Sequence, residues 1–378
     1  MTVEETLAKL VSIDSVSSRS NAEIIEYLAA RAEPLGLEVK LHPYEDEHSV
    51  EKVNLIAWAG TNADDSENLK VELALVGHTD TVPYDPAWKE ARQLTERDGK
   101  LYGRGACDTK GFIAAALTAI EKIGVQNLRR PLALVFTADE EIGCLGAKRL
   151  ADERALHARY SIVGEPTSLQ PMRAGKGYCL AEIILRGREG HSAYPALGAS
   201  AIFRAARLVA RIEKIAEELK SDELKTFEPP YTTLNVGLIQ GGTAKNIIAG
   251  ECRFTLEWRP LPGQKPEHLL DLVRAAIEDE RALDADYDCA LKVIRLDEGM
   301  ETAARSALVR LLEEATAREA GTIAFGTEAP QMTELGAEAV VFGPGNIRVA
   351  HRTDEFVPVE ELRECVRILS RAIEHFCL

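Results

Sequence analysis

One buried strand and the polar residues at its end constrain the fold of this chain more than any other stretch. The run Val71–Val76 is apolar and β-branched, as expected of a strand covered on both faces. It leads into His78 and Asp80, and Pro83 stops it. Since residues two apart on an extended backbone point the same way, these two side chains should lie together at the strand end. Such a pair is typical of a metal-bound imidazole with its carboxylate partner, or of a core histidine beside an aspartate.

Strands that alternate with helices along the first part of the chain predict an α/β fold, with a central, mostly parallel sheet flanked by helices. After residue 176 a strand, a long amphipathic helix, two alternating strands and a helix predict a small α+β unit. With 378 residues the chain is long enough for two domains. We therefore predict a larger domain from residues 1–176 and 289–378, interrupted by an inserted domain over 177–288. Residues 61–68 are polar and predict an exposed turn.

Charge and cysteine usage narrow the class of protein. A net charge of −16 argues against nucleic acid as a partner. The sequence shows no apolar run near the roughly 18 residues of a membrane span and no signal peptide at its start. The seven cysteines are scattered without a Cys-x-x-Cys pair, which favours a reducing cytoplasm over a structural zinc knuckle.

Further acidic and imidazole side chains follow other apolar runs or open a helix. Asp108 follows a glycine-rich turn at a predicted helix start, where a carboxylate is also a common N-cap. Glu140 and Glu141 follow the apolar strand 132–136, and a solvated acidic turn is the alternative interpretation. Glu165 follows the strand 160–163, and His351 comes shortly after the run 340–342.

Taken together, these positions predict a metal centre. Adjacent carboxylates at the mouth of a buried strand are costly to bury unless a cation neutralises them. Two imidazoles and three carboxylates can hold two divalent ions, with one carboxylate shared between them. The mixed nitrogen and oxygen ligands suit zinc, and also cobalt or manganese.

The same motifs resemble those of the dinuclear zinc aminoacylase and exopeptidase family, over nearly the whole chain. They are 77–83, the Asp108 segment, 139–141, 164–167 and the late His351. The resemblance implies a metal-dependent hydrolase of linear amides with a catalytic domain and an inserted dimerisation or lid domain. It also implies the ligands: His78 and Glu165 for one zinc, Glu141 and His351 for the other, and Asp108 between them.

The resemblance assigns further roles. Glu140 becomes the general base, and Asp80 orients His78. His191, within 190–193, reaches from one subunit of a homodimer into the active site of the other. Asn246 and Arg259 match positions that reach the substrate in relatives. On chemical grounds a substrate carboxylate needs a cation or donor, for which Lys176, Asn246 and Arg259 are the candidates. A cationic substrate side chain would suit the Glu328 carboxylate, with a solvated loop acid as the alternative interpretation of Glu328.

An N-acylated amino acid is the expected substrate, and acetylornithine is the first expectation. Gly175 stands where a histidine is expected before Lys176, which leaves acetylcitrulline and other acyl amino acids open. Succinyl-diaminopimelate and small peptides are the alternatives within the family. A non-catalytic binding protein on the same scaffold is the alternative from another class.

Overall fold

The computed structural model describes residues 1–60 and 69–378, and the predicted turn at 61–68 lies outside them. The chain forms two compact units. The first contains Met1–Arg173, Thr302–Gly321 and Thr327–Leu378, and the second contains Ala174–Glu301 and Thr322–Gly326.

The α-helices in the described residues are α1 Val3–Ser12, α2 Ala22–Ala32, α3 Lys110–Ile123, α4 Leu145–Asp152, α5 Ala201–Leu219, α6 Glu267–Leu283, α7 Ala307–Thr316, α8 Ala329–Glu334 and α9 Val359–Cys377. The strands there are β1 Glu38–Glu45, β2 Glu51–Ala59, β3 Lys70–His78, β4 Thr95–Arg97, β5 Lys100–Tyr102, β6 Leu132–Thr137, β7 His157–Val163, β8 Met172–Gly175, β9 Tyr178–Arg186, β10 Gly190–His191, β11 Thr233–Gly241, β12 Ile247–Ile248, β13 Glu251–Arg259, β14 Asp288–Asp297, β15 Met300–Glu301, β16 Gly321–Ile323, β17 Glu338–Val341 and β18 Phe356–Pro358. Short 3₁₀ helices cover Glu33–Leu35, Lys89–Arg92, Val125–Asn127 and Pro195–Leu197.

The first unit is built on a mixed sheet with the order β1-β2-β6-β3-β7-β17-β8. The four central strands, β6, β3, β7 and β17, are parallel, and antiparallel pairs lie at both ends. Strand β3 is buried along almost its whole length, as its continuous apolar pattern requires. The predicted α/β fold with a central, mostly parallel sheet is confirmed.

The helices α1, α3 and α9 pack together and, with α2, share one core with the sheet. Helix α3 is buried over its first eleven residues, Lys110–Ile120, because its small and aliphatic residues occupy every face. A second, three-stranded sheet with the order β18-β5-β4 pairs Phe356 with Tyr102. This pairing brings the segment after His351 beside the segment before Asp108, although about 250 residues separate them in sequence.

Asn21 occupies the N-cap position of α2, but its side chain makes no hydrogen bond to the helix. Its amide donates to the carbonyl of Val53 and to the Thr79 hydroxyl, and its oxygen accepts from the Val53 N–H. The buried amide therefore joins α2 to β2 and to the segment after β3 through three hydrogen bonds.

The second unit holds a four-stranded antiparallel sheet, β11-β13-β9-β14, with α5 and α6 packed on it over a core of its own. The inserted domain was predicted to end at residue 288. Strand β14 pairs with β9 from Asp288 onward, so the unit continues to Glu301.

Two general features concern the described residues as a whole. None of their helices combines the length and the hydropathy that crossing a bilayer requires. All seven cysteines fall within them, and each is buried with a free thiol.

Candidate metal centre

The carboxyl ends of three parallel strands meet at one edge of the sheet. His78, the last residue of β3, lies opposite Thr137, the last of β6, and Val76 lies opposite Val163, the last of β7. Polar residues that follow these strands are therefore brought close together, as is general for open α/β sheets. His78 ends β3, the turn with Glu140 and Glu141 follows β6, and Glu165 follows β7.

His78, Asp108 and Glu165 form the first ligand triad, with all three side chains buried. One ligand atom from each lies within 4.8 Å of the others, close enough to surround one ion. The Nε2 of His78 is 3.1 Å from Oδ1 of Asp108. Asp108 reaches this position from the loop before α3. The peptide bond between Asp108 and Thr109 is cis.

Asp108, Glu141 and His351 form the second triad, again with ligand atoms within 4.8 Å of one another. The Nε2 of His351 lies 3.1 Å from Oδ2 of Asp108 and 3.0 Å from Oε2 of Glu141. The side chain of His351 is 49% exposed, so this position faces solvent, whereas the first triad is enclosed. Asp108 thus presents one oxygen to each histidine and belongs to both triads.

The electrostatic environment of the two triads favours cations, as the pKa shifts of their side chains indicate. Burial and the charges of Asp108 and Glu140 raise the pKa of Glu165 well above its usual value. Burial opposes ionisation of Asp108, but hydrogen bonds from His351 and His78 keep its pKa below the usual value. Hydrogen bonds to Asp108 and Glu141 raise the pKa of His351 to about 10. Carboxylates packed this closely repel one another, and divalent ions between them would remove that repulsion. The donor set fits two such ions.

The ring of His78 is oriented by a backbone oxygen. Its Nδ1 lies 3.0 Å from the carbonyl oxygen of Asp80, and the Asp80 carboxylate is farther from the same nitrogen, at 3.6 Å. Donation from Nδ1 directs Nε2 to the cluster, which is the usual orientation of an imidazole ligand. The Asp80 carboxylate accepts from the backbone N–H groups of Glu140 and Glu141, at 3.1 and 3.3 Å, and from the Ser17 hydroxyl. The carbonyl and the carboxylate of Asp80 thus both lie near the His78 ring, and the carboxylate also holds the neighbouring acidic turn.

Glu140 lies on that turn, next to the ligand triads but outside both of them. Burial and the nearby charges of Glu141 and Glu328 raise the pKa of Glu140 to about 8. The Cys144 thiol, at 3.4 Å, donates to Oε1 of Glu140. A carboxyl group with a pKa near neutrality can both accept and return a proton at neutral pH.

A buried ion pair that sequence reasoning missed supports the same turn. Asp139, fully buried and with φ of 58°, accepts from Nζ of Lys52 at 2.7 Å and from the Tyr44 hydroxyl at 2.9 Å. The signal in the sequence is a lysine directly before the largely apolar stretch of strand β2, where a buried lysine needs a partner of opposite charge.

Glu328 lies in the first unit with the triads, at the start of α8. Its side chain is 1% exposed, and its Oε1 has no hydrogen-bond partner among the described residues. Burial raises the pKa of Glu328 to about 7. The alternative of a solvated loop acid is excluded by this burial.

The other predicted substrate residues belong to the second unit. The ammonium group of Lys176 is buried and donates to the carbonyls of Pro229 and Tyr231, at 2.8 and 2.6 Å. These bonds use two of the three N–H donors of the ammonium group within its own unit. The expected role of Lys176 in holding a substrate carboxylate stays a prediction. Arg259 is partly exposed and pairs with Glu257, whereas Asn246 and His191 are exposed.

Two histidine–carboxylate triads that share one aspartate, at the edge where parallel strands of an α/β sheet end, are typical of the class of metal-dependent hydrolases that use paired ions. Residues 74–375 match the model of peptidase family M20/M25/M40. The chain belongs to this family, which confirms the predicted family and its hydrolase class.

Similar proteins cover the whole chain. An acetylornithine deacetylase of Myxococcus xanthus is 53% identical over 98% of this chain and 97% of its own length. An acetylornithine deacetylase of Proteus mirabilis (strain HI4320) is 35% identical over 97% of this chain and 92% of its own. A solved tripeptidase from Staphylococcus aureus subsp. aureus mu50 superposes with a TM-score of 0.78 at 25% identity, over 99% of this chain and 97% of that one.

Proposed function

We propose that this protein hydrolyses N2-acetyl-L-ornithine to L-ornithine and acetate, with two divalent metal ions, zinc first among them. The observation that carries the reaction class is the pair of triads that share Asp108. The substrate is supported by the 53% identity, over nearly the full length, to a protein named for this activity.

In this proposal His78 and Glu165 would hold one ion, Glu141 and His351 would hold the other, and Asp108, which belongs to both triads, would serve both. The chemistry that such ions supply is a lowered pKa of a bound water and polarisation of an amide carbonyl. The chain itself orients the ligands through the bond from His78 to the Asp80 carbonyl, and it holds the acidic turn through the Asp80 carboxylate.

Glu140 is the proposed general base and acid. Its carboxylate takes a proton from the attacking water, and it returns that proton to the amide nitrogen as the acetyl group leaves. The proposed companion is His191, which would supply a hydrogen bond to the carbonyl oxygen as negative charge develops there. These two roles complete the hydrolysis without a covalent acyl-enzyme.

A substrate panel tests the proposal. We expect the zinc-loaded protein to show its highest kcat/KM with acetylornithine, and lower values with acetylcitrulline, succinyl-diaminopimelate and di- and tripeptides. Removal of the metal with a chelator should abolish turnover, and Zn²⁺ or Co²⁺ should restore it. A higher kcat/KM for succinyl-diaminopimelate would identify a desuccinylase, and metal binding without any turnover would indicate a binding protein.

Glu328 is the proposed partner of the ornithine ammonium group. It is buried, its Oε1 has no hydrogen-bond partner within the described part of the chain, and, in addition to burial, its charge raises the pKa of both Glu140 and Glu165. We expect Glu328→Gln to raise KM for acetylornithine about 10-fold or more, since a buried hydrogen bond to a charged group is worth about 1.5–3 kcal/mol. N-acetylnorvaline, which lacks the cation, serves as the control and should lose little. An equal loss with both substrates would place Glu328 in support of the metal centre instead.

A homodimer formed through the second unit is also proposed. Strand β11 lies at an edge of its sheet and carries the exposed residues Leu238 and Ile239, and Phe203 on α5 is 71% exposed. An apolar strand edge of this kind favours pairing with a second copy. We expect sedimentation equilibrium to give a dimer and Ile239→Lys to shift it to monomer. If His191 acts across the dimer, that variant should also lose activity.

A cytoplasmic location is proposed from the seven free, buried thiols, which suit a reducing compartment. Cell fractionation of the native host tests it, and recovery in the extracytoplasmic fraction would contradict it.

A further inference from the structure

We propose that Glu355 is a positioning residue that fixes Asp108 relative to the loop of His351, so that the Asp108 carboxylate can serve both metal positions. This inference rests on the proposed two-metal site and adds a residue that belongs to neither triad.

The first part of the argument is the contact with the Asp108 loop. The Glu355 side chain is completely buried, and its Oε1 accepts from the backbone N–H of Cys107 at 3.0 Å and of Asp108 at 3.1 Å. A single carboxylate oxygen therefore fixes two consecutive peptide groups at the position from which the Asp108 side chain departs. Charge-assisted bonds of this kind are about twice as strong as those between neutral groups.

Arg104 holds the other end of the Glu355 carboxylate. Its Nη1 lies 2.5 Å from Oε2, and its side chain is 5% exposed. Through Nη2 the same guanidinium contacts the carbonyl of Pro83, at 3.4 Å, in the segment that follows His78 and Asp80. The backbone carbonyl of Glu355 also accepts from the Gly103 N–H at 3.0 Å. The main chain and the side chain of Glu355 thus both bind the short segment 103–108.

The second part of the argument is the place of Glu355 in its own loop. It follows His351 by four residues and directly precedes β18. His351 is exposed and has φ of 62°, in the left-handed region that non-glycine residues avoid. Such a residue keeps its position only if the chain around it is anchored, and Glu355 is the buried anchor nearest to it on the side of β18.

The third part concerns charge. Glu355 places a carboxylate next to the backbone of Asp108 without offering an oxygen to either triad. If Glu355 contributed only to stability, its removal would affect metal binding no more than the removal of a comparable ion pair far from the triads. If it positions Asp108, its removal should weaken metal binding even in protein that remains folded, because both ions depend on Asp108. Mutation of a residue that hydrogen-bonds a metal ligand commonly lowers the affinity for the metal by about 10- to 100-fold.

The test is a titration of Zn²⁺ into apo-protein, with a competing chelator, for wild type, Glu355→Ala, Glu355→Gln and a control. Asp284→Ala is the control, because Asp284 pairs with the buried Arg204 in the second unit at 2.9 and 3.0 Å. We expect Glu355→Ala to weaken both zinc sites about 10- to 100-fold. Glu355→Gln keeps one acceptor oxygen and should weaken them less. The control should keep both dissociation constants within about 2-fold of wild type, whatever its unfolding midpoint.

Unchanged dissociation constants in folded Glu355→Ala would overturn the inference. Should that variant not fold, Glu355→Gln and Arg104→Lys decide, since both keep most of the packing, and wild-type affinity in both would overturn it equally. A wild-type protein that binds fewer than two ions, or does not deacetylate, would instead reject the proposed function. The two failures are therefore distinguishable.

Discussion

Replacement of Glu140 by Gln is expected to lower kcat for acetylornithine by about 10²- to 10⁴-fold, the usual contribution of general acid–base catalysis. Glutamine keeps the size of the side chain and can still accept a hydrogen bond, but it cannot take the proton of the attacking water. The loss should appear mainly in kcat, because Glu140 belongs to neither ligand triad and substrate binding does not require its charge.

Metal content distinguishes this role from that of a ligand. We expect Glu140→Gln to retain wild-type zinc stoichiometry by elemental analysis. Glu153→Gln is a matched control, because Glu153 is an exposed glutamate whose carboxylate lies 3.1 Å from Nδ1 of His42, and this variant should keep normal turnover. Near-normal turnover in Glu140→Gln would assign the base to another group, and lost zinc would make Glu140 a ligand.

Replacement of Lys52 by Met is expected to lower the free energy of unfolding by about 3–5 kcal/mol. Lys52 is 1% exposed, and its ammonium lies 2.7 Å from the fully buried Asp139. Without it, the Asp139 carboxylate keeps the Tyr44 hydroxyl as its hydrogen-bond donor among the described residues. The interior charge is then largely uncompensated, which is the most costly way to break a buried pair.

The pH dependence of this loss has a definite sign. Burial raises the pKa of Asp139, and the hydrogen bond from Lys52 opposes that rise. Removing Lys52 should raise the pKa of Asp139 in the folded state further above its value of about 3.9 in the unfolded chain. A raised carboxyl pKa destabilises the ionised protein, so the deficit should be small below about pH 4 and grow as the pH rises to the folded pKa.

A double variant provides the control for this prediction. Lys52→Met combined with Asp139→Asn removes the charge as well as its partner, and asparagine tolerates the φ of 58° at this position. Urea denaturation at neutral pH should show that the double variant recovers most of the stability lost by the single one. A single variant that loses less than about 1 kcal/mol, or a double variant no more stable than it, would contradict this account.

The amino-acid sequence by itself determined the sheet and where the ligands lie along the chain. Apolar runs such as Val71–Val76 predict strands buried on both faces, and their alternation with helices requires parallel pairing. Parallel strands end at a common edge, so His78 and Glu165 are brought together although 87 positions separate them in the numbering, 165 minus 78. The position of these ligands therefore follows from the apolar pattern of the strands and from the rule that parallel strands end at a common edge of the sheet.

Only the tertiary structure decided which groups hold those ligands in place. The Asp80 carboxylate accepts hydrogen bonds from the turn of Glu140 and lies 3.6 Å from the ring of His78, and Lys176 donates to two carbonyls of its own unit. Glu355 reaches the Asp108 loop across a separation of 247 residues. Hydrogen bonds between distant segments leave no periodic trace in the sequence, because any buried donor can satisfy any buried acceptor that the fold brings within reach.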